Sequence, residues 1–355
     1  MKFSNFLFPE SRSPAGDFSV IDESLREAEL SDQLGFDAVW LAEHHFDGGC
    51  AYVDPLIFAS AIAARTQRIK IGFAVAQMAL HHPIRFAEQL ALVDNISRGR
   101  MIVGVGRGTA YNFYEFRGYG IDPAEAQERL LEVEELLLRC WSGHEVAHSG
   151  KFWQVQLPEL RPQVYQRPHP PIIRACSGLE STLEMARQGR PFLMNLQSDQ
   201  TTQERLDAFR QTMADSGYDD QAIARTVQES WAWRNVVVAE TDAEAETLGV
   251  PAFRAMRAFL ADNRKRLNTP EEQAAQAAAM SGAARDSVDQ GLIFGSPETV
   301  RERLEAVDRT GIGGLIIHFR LGSMSWETTE NSLRLFAERV APQFASTAVN
   351  PFFHQ

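Results

Sequence analysis

Ala38-Val39-Trp40-Leu41, running on into Ala42-Glu43-His44-His45, is the stretch on which the reading of this chain turns. Four consecutive apolar residues are too few for a helix and suit a strand buried on both faces. Upstream, Ile21, Leu25 and Ala28 fall at helical spacing; downstream, Asp54-Pro55 opens an apolar helical pattern that runs to Thr66. A short buried strand between two helices is one turn of a parallel βα alternation. The same form recurs at Lys2–Phe8, Ile69–Val75, Met101–Val105, Ile172–Cys176, Phe192–Leu196, Trp233–Val238 and Gly314–Phe319. With Ala38–Leu41 that makes eight strands, which fit a closed barrel better than an open sheet. The expectation is one α/β domain over residues 1–355, a (β/α)8 TIM barrel with insertions.

The intervening helices carry their own signals. Leu130, Val133, Leu137 and Trp141 mark one buried face. Ser296-Pro297-Glu298 supplies a capping hydroxyl, a proline at the first helical position and an acid in the first turn, and Val300, Leu304 and Val307 follow on one face. Two stretches break the pattern. Residues 151–171 hold five prolines and read as an extended insertion between strands four and five. Residues 258–290 are long, polar and alanine-rich; in a barrel such an insertion sits at one rim, as a mobile lid or as a plain solvated helix.

The bulk properties exclude several classes. The 355 residues include 47 acidic and 35 basic ones, a net charge of -12, which argues against nucleic acid or an anionic membrane as the main partner. No run approaches the ~18 apolar residues of a membrane span, and Phe3–Phe8 is too short for a signal segment. Cys50, Cys140 and Cys176 are scattered and odd in number, with neither metal-ligand spacing nor a disulfide framework. A reducing, cytoplasmic setting is expected.

Chemistry concentrates after the strands, where a barrel carries its active site. His44, just past the second strand, is suited to proton transfer near neutral pH. Glu43, His44, His45, His81 and His82 also invite a metal reading. Adjacent residues on extended chain point to opposite sides, however, so His44 and His45 do not share an ion easily, and no metal site is expected. After the fourth strand, Gly104-Val105-Gly106-Arg107-Gly108 allows close backbone approach to an anion and offers a bidentate guanidinium. After the fifth, Ser177-Gly178 precedes a helix that opens near Ser181, a natural anion site. On adjacent strands these suggest one phosphate gripped from two loops. Phe46, Tyr111, Phe113, Trp231 and Trp233 lie near strand ends, either lining a flat-ring pocket or filling the core.

At this point the sequence resembles a known family, the bacterial luciferase-like flavin-dependent monooxygenases. Met1-Lys2-Phe3-Ser4-Asn5-Phe6-Leu7 looks like the start of the luciferase α-subunit. Gly35-Phe36-Asp37-Ala38-Val39-Trp40-Leu41-Ala42-Glu43-His44-His45-Phe46 is similar to its second-strand signature. Further marks are His82-Pro83-Ile84-Arg85-Phe86-Ala87-Glu88, Ser97-Arg98-Gly99-Arg100, Pro168-His169-Pro170-Pro171-Ile172, Gly295-Ser296-Pro297-Glu298 and Thr310-Gly311-Ile312.

The resemblance implies an enzyme that binds reduced FMN at the C-terminal rim and uses molecular oxygen to oxygenate a small organic substrate. The family's catalytic histidine falls on His44 and its phosphate-gripping arginines on Arg107 and Arg129. Ser177 and Ser181 complete the phosphate site, and a non-proline cis peptide under the ring falls near Ala74-Val75. Gly106 stands where the luciferase α-subunit has a reactive cysteine, and Thr109–Arg117 also departs. The resemblance therefore carries flavin binding, but not aldehyde specificity or light emission.

A separate flavin reductase is expected as partner, because no Gly-x-Gly-x-x-Gly dinucleotide fingerprint follows a strand. A homodimer is expected through the helix over 54–66, which is apolar on more than one face. Two other readings share this barrel: a deazaflavin-dependent dehydrogenase or reductase, and a non-catalytic flavin-binding protein. The luciferase-type N-terminus favours FMN over the first, and His44 with Arg107 argues against the second.

Overall fold

Eight parallel strands close into a barrel in the computed structural model, which describes residues 1–109, 111–280 and 287–344, the side chains of 276–280 excepted. The barrel strands are β1 (Lys2–Leu7), β2 (Ala38–Leu41), β3 (Lys70–Phe73), β4 (Met101–Gly106), β5 (Ile172–Cys176), β6 (Phe192–Met194), β7 (Trp231–Val238) and β8 (Gly314–His318). Each pairs in parallel with its neighbour, and β8 pairs with β1 to close the ring. This is the expected single-domain barrel.

Strand ends differ from the sequence expectation by one or two residues for identifiable reasons. The third strand stops at Phe73, the peptide between Ala74 and Val75 is cis, and pairing with β4 resumes at Ala76–Gln77. β7 starts at Trp231 rather than Trp233, since Trp231 pairs in register with Gly314. That glycine is required: a Cβ there would meet the Trp231 ring at 2.3 Å, and one at Gly72 would meet the Trp40 ring at 2.5 Å. Removing both Cβ atoms lets the two indoles meet edge to face inside the barrel, 5.3 Å between centroids. Trp40 Nε1 donates to Ser4 Oγ, whose hydroxyl donates to the Leu315 carbonyl. The barrel floor is thus filled and its indole satisfied, so any cavity must lie above it, toward the C-terminal ends.

The helices follow their caps. Ser296 accepts from the Thr299 amide at the start of helix Pro297–Asp308, whose Val300, Leu304 and Val307 are fully buried. Asp54 accepts from the Leu56 and Ile57 amides and begins helix Pro55–Arg65. Residues 151–171 contain the second strand of a small hairpin, Val146–Ser149 with Gln154–Leu157, and then irregular chain with cis bonds before Pro162 and Pro168. The polar segment over 258–290 belongs to two helices, Asp242–Leu267 and Pro270–Met280, followed by Val288–Gly291; residues 281–286 lie outside the described residues. The longer of the two lies across the barrel mouth, presenting Met256, Leu260 and Arg264 at four-residue spacing to the cavity below.

Candidate active site

Period-two alternation decides which residues enter the barrel mouth. On β2 the inward series runs Trp40, Ala42, His44, and His44 lines a cavity of about 610 Å³ at the C-terminal end of the barrel. His45 turns the other way: its Nε2 lies 3.2 Å from Glu43 and its Nδ1 3.2 Å from the Tyr119 hydroxyl. β1 sends Phe6 and Phe8 into the cavity, β7 sends Trp233 and Asn235, and β8 sends Ile316 and His318.

His44 is held by a carboxylate that sequence reasoning missed. Its Nδ1 lies 2.9 Å from Glu115 Oε1, and the Glu115 side chain is wholly buried. Glu115 also accepts from the His45 amide at 3.0 Å and from Gln77 Nε2 at 3.1 Å. Burial alone would raise the Glu115 pKa, but His44 and these donors hold it below the usual carboxylate range. Burial would likewise lower His44, yet the facing carboxylate raises it above 6.5. Asn112 Nδ2 stands 3.3 Å from the same ring nitrogen, and its Oδ1 is taken by Arg264 Nε at 3.0 Å. The shorter contact makes Glu115 the acceptor for the Nδ1 proton, leaving Nε2 as the nitrogen open to a ligand.

Behind this pair lies a second buried ionic cluster. Glu43 accepts from the Gln77 amide at 2.6 Å and faces His81 Nε2 at 3.0 Å. Burial opposes its charge, but His81 and His45 outweigh burial and bring its pKa down to about 2. His81 is raised above 6.5, again against burial, by Glu43. The signs bound a window. The Glu43 contribution is present above 4.5 and lost as pH falls toward about 2; the His81 contribution is present below 6.5 and lost as pH rises through its raised value. Glu43→Ala should therefore cost about 3–5 kcal/mol between pH 4.5 and 6.5, the usual cost of orphaning one member of a buried pair. It should flatten the stability–pH profile. Denaturant midpoints across that range check it, and an unchanged profile would contradict it.

The expected anion residues divide in two. Ala74, Val75, Gly106, Arg107 and Ser177 all line the cavity. Arg107 is exposed and makes no ion pair among the described residues. Arg129 and Ser181 are not on the cavity wall. Arg129 pairs with Glu125 at 2.9 Å and lies 4.3 Å over the Phe152 ring, while Ser181 Oγ donates to the Gly178 carbonyl at the start of helix Leu179–Arg187. Arg205, from helix Asp199–Asp215, does reach the cavity: its Nη2 donates to the Ser177 carbonyl at 3.4 Å and its buried Nη1 has no partner among the described residues. Gly106 is explained by packing, since a Cβ there would meet the Val75 side chain at 2.6 Å.

Of the aromatic candidates, Tyr111 and Trp233 line the cavity. Trp231 belongs to the barrel interior, Phe46 is exposed beside Tyr119, and Phe113 is not on the wall. The sequence did carry a signal for Glu115: one acid within Phe113-Tyr114-Glu115-Phe116 is a charge in an apolar context. Among the described residues, no group of three or more His, Cys, Asp or Glu is placed to hold a metal ion, and no helix is long and apolar enough to cross a membrane.

The mouth of the barrel thus joins a carboxylate-held histidine, aromatic walls and the guanidinium groups of Arg107 and Arg205. The chain belongs to the luciferase-like monooxygenase family, whose model matches residues 1–313. It is 33% identical over 174 residues to the oxygenase component of flavin-dependent trigonelline monooxygenase from Acinetobacter baylyi, covering 48% of each chain. The chain spans about half the length of the curated relatives it matches. The crystal structure of monooxygenase RslO1 from Streptomyces bottropensis superimposes with a TM-score of 0.80 at 29% identity, covering 97% of this chain and 100% of that one. The oxygenating constituent of 3,6-diketocamphane monooxygenase from Pseudomonas putida, in complex with FMN, gives a TM-score of 0.79 at 19% identity over 99% of both chains, a likeness of fold alone.

Proposed function

We propose that this chain is the oxygenase of a two-component system, taking reduced FMN from a separate flavin reductase and oxygenating a small organic molecule with molecular oxygen. The observation that carries the cofactor is the buried Arg205 Nη1 beside Ser177, without a partner among the described residues, in a cavity that Arg107 also lines. A buried guanidinium nitrogen with nothing to bond is costly unless an anion completes it, and phosphate is the natural one. Arg107, Arg205 and Ser177 would hold the phosphate, and Ala74, Val75 and Gly106 would lie along the ring. The reduced flavin supplies the reaction with oxygen. The protein's part is to seal the mouth with helix Asp242–Leu267 and to present His44 Nε2, its proton affinity set by Glu115, to the reacting partners. The trigonelline relative, named as an oxygenase component, supports the two-component reading.

The test is direct. Purified protein mixed with FMN and NADH in air should leave the NADH unoxidised, and adding a flavin reductase should start its consumption. Brisk oxidation by this chain alone would contradict the reading.

We also infer a homodimer. Ile57 on helix Pro55–Arg65 is 70% exposed, and Leu92 and Ile96 on the adjoining helix Pro83–Ser97 are 51% and 43% exposed. A face of this kind calls for a partner. Light scattering at micromolar concentration should give twice the monomer mass, and Ile57→Asp should return it to one.

A further inference from the structure

On the last two strands the cavity holds three buried polar atoms without partners among the described residues: Trp233 Nε1, Asn235 Oδ1 and His318 Nε2. They are neighbours by construction. Asn235 and His318 are register partners across β7 and β8, and Trp233 is the inward-facing residue one step below Asn235. Buried polar groups are ordinarily satisfied, so three orphans in one corner of a cavity need an explanation.

Their hydrogen-bonding senses are fixed. Asn235 Nδ2 donates to the Gly291 carbonyl at 2.7 Å. Flipping the amide would set two oxygens against each other, so Oδ1 is an acceptor. His318 is 1% exposed, and burial holds its pKa down to about 3, so the ring is neutral. The Arg320 backbone bonds the ring in the sense that keeps a proton on the engaged nitrogen. That leaves Nε2 as a lone-pair acceptor. Trp233 Nε1 can only donate.

The corner therefore offers two acceptors and one donor. Around it the walls are aromatic: Phe6 lies 4.4 Å from Trp233 and edge-on to His318 at 5.5 Å, and Phe8 lies 5.9 Å from His318 and 5.5 Å from His44. The closed strand order sets β7 and β8 across the barrel from β3 and β4, which carry Ala74, Val75 and Gly106. The orphan atoms thus stand opposite Ala74, Val75 and Gly106, and Phe8 packs against both His318 and His44.

We propose that Trp233, Asn235 and His318 form the polar end of the organic substrate's subsite, and that the substrate is a neutral ring compound carrying a hydroxyl. A hydroxyl donates to one of the acceptors and receives from the indole. A ketone or ether can only accept, and would leave both Asn235 Oδ1 and His318 Nε2 unmet. A carboxylate would bring its charge against two acceptors. The inference rests on the reading of the cavity given above and adds the substrate's class to it.

Binding of matched probes tests it without turnover. 2-Naphthol and its methyl ether, 2-methoxynaphthalene, are titrated into the protein with and without oxidised FMN, followed by tryptophan fluorescence. The FMN-loaded protein should prefer the naphthol by roughly tenfold or more. His318→Phe and Asn235→Leu should bring that ratio near one while FMN affinity stays unchanged. Trp233→Phe, the mildest change, should lower the ratio if either of those fails to fold. No preference, no binding of either probe, or a preference that survives all folded variants overturns the proposal. A preference seen only without FMN would mean that the flavin takes these atoms, and overturns it too. A preference in a protein that fails to bind FMN would sink the flavin reading and leave this one standing.

Discussion

His44→Ala should bind FMN as the native protein does and form product about 10²- to 10⁴-fold more slowly, the range for loss of a positioned acid or base. The geometry is the reason. His44 Nδ1 is tied to the buried Glu115 at 2.9 Å, so Nε2 faces the ligand with a fixed tautomer and a raised proton affinity. His45→Ala should behave differently, because His45 bonds Glu43 and Tyr119 rather than the cavity. Its loss should appear as lowered stability with residual activity in the folded fraction. Equal catalytic loss in both folded variants would mean that the wrong histidine has been chosen. The sign of the pH dependence follows as well. If Nε2 must be unprotonated, activity rises with pH through the raised His44 value; Glu115→Gln removes the charge that raises it, and so should move that limb to lower pH.

Arg107→Ala should weaken FMN binding by about 10- to 150-fold, since a charge-assisted bond contributes roughly 1.5–3 kcal/mol and 1.4 kcal/mol is tenfold. Arg107 is exposed and makes no ion pair among the described residues, so its removal should leave the fold intact. Riboflavin separates the phosphate from the ring: its affinity should be the same for native protein and variant. An equal loss for riboflavin would place Arg107 somewhere other than the phosphate. Arg205→Ala should share the discrimination, with some cost in stability because that side chain is half-buried beside Ser177.

The barrel was legible because each strand is a short apolar run between periodic helices, and such patterns survive any tertiary context. His44 was legible for a related reason: it follows directly on the C-terminal end of a buried strand, where a barrel carries its active site. What escaped was whatever depends on distant chain. Glu115 reaches His44 from 71 residues away. Arg205 and Arg264 sit on helices rich in other charged residues, so nothing local singles them out as facing a cavity. Arg129 shows the converse. Its helix is amphipathic and its charge is conspicuous, but Glu125, one turn earlier, engages it. The orphan atoms of Asn235 and His318 are invisible in sequence, because partnership is a property of the folded neighbourhood.

The most direct test of the central claim is a side-by-side anaerobic titration of reduced FMN, reduced riboflavin and a reduced deazaflavin cofactor. Reduced FMN should saturate the protein and bind tighter than the other two, and Arg107→Ala and Arg205→Ala should erase its advantage over riboflavin. Tighter binding of the deazaflavin, or no saturable binding of reduced FMN, would contradict the account.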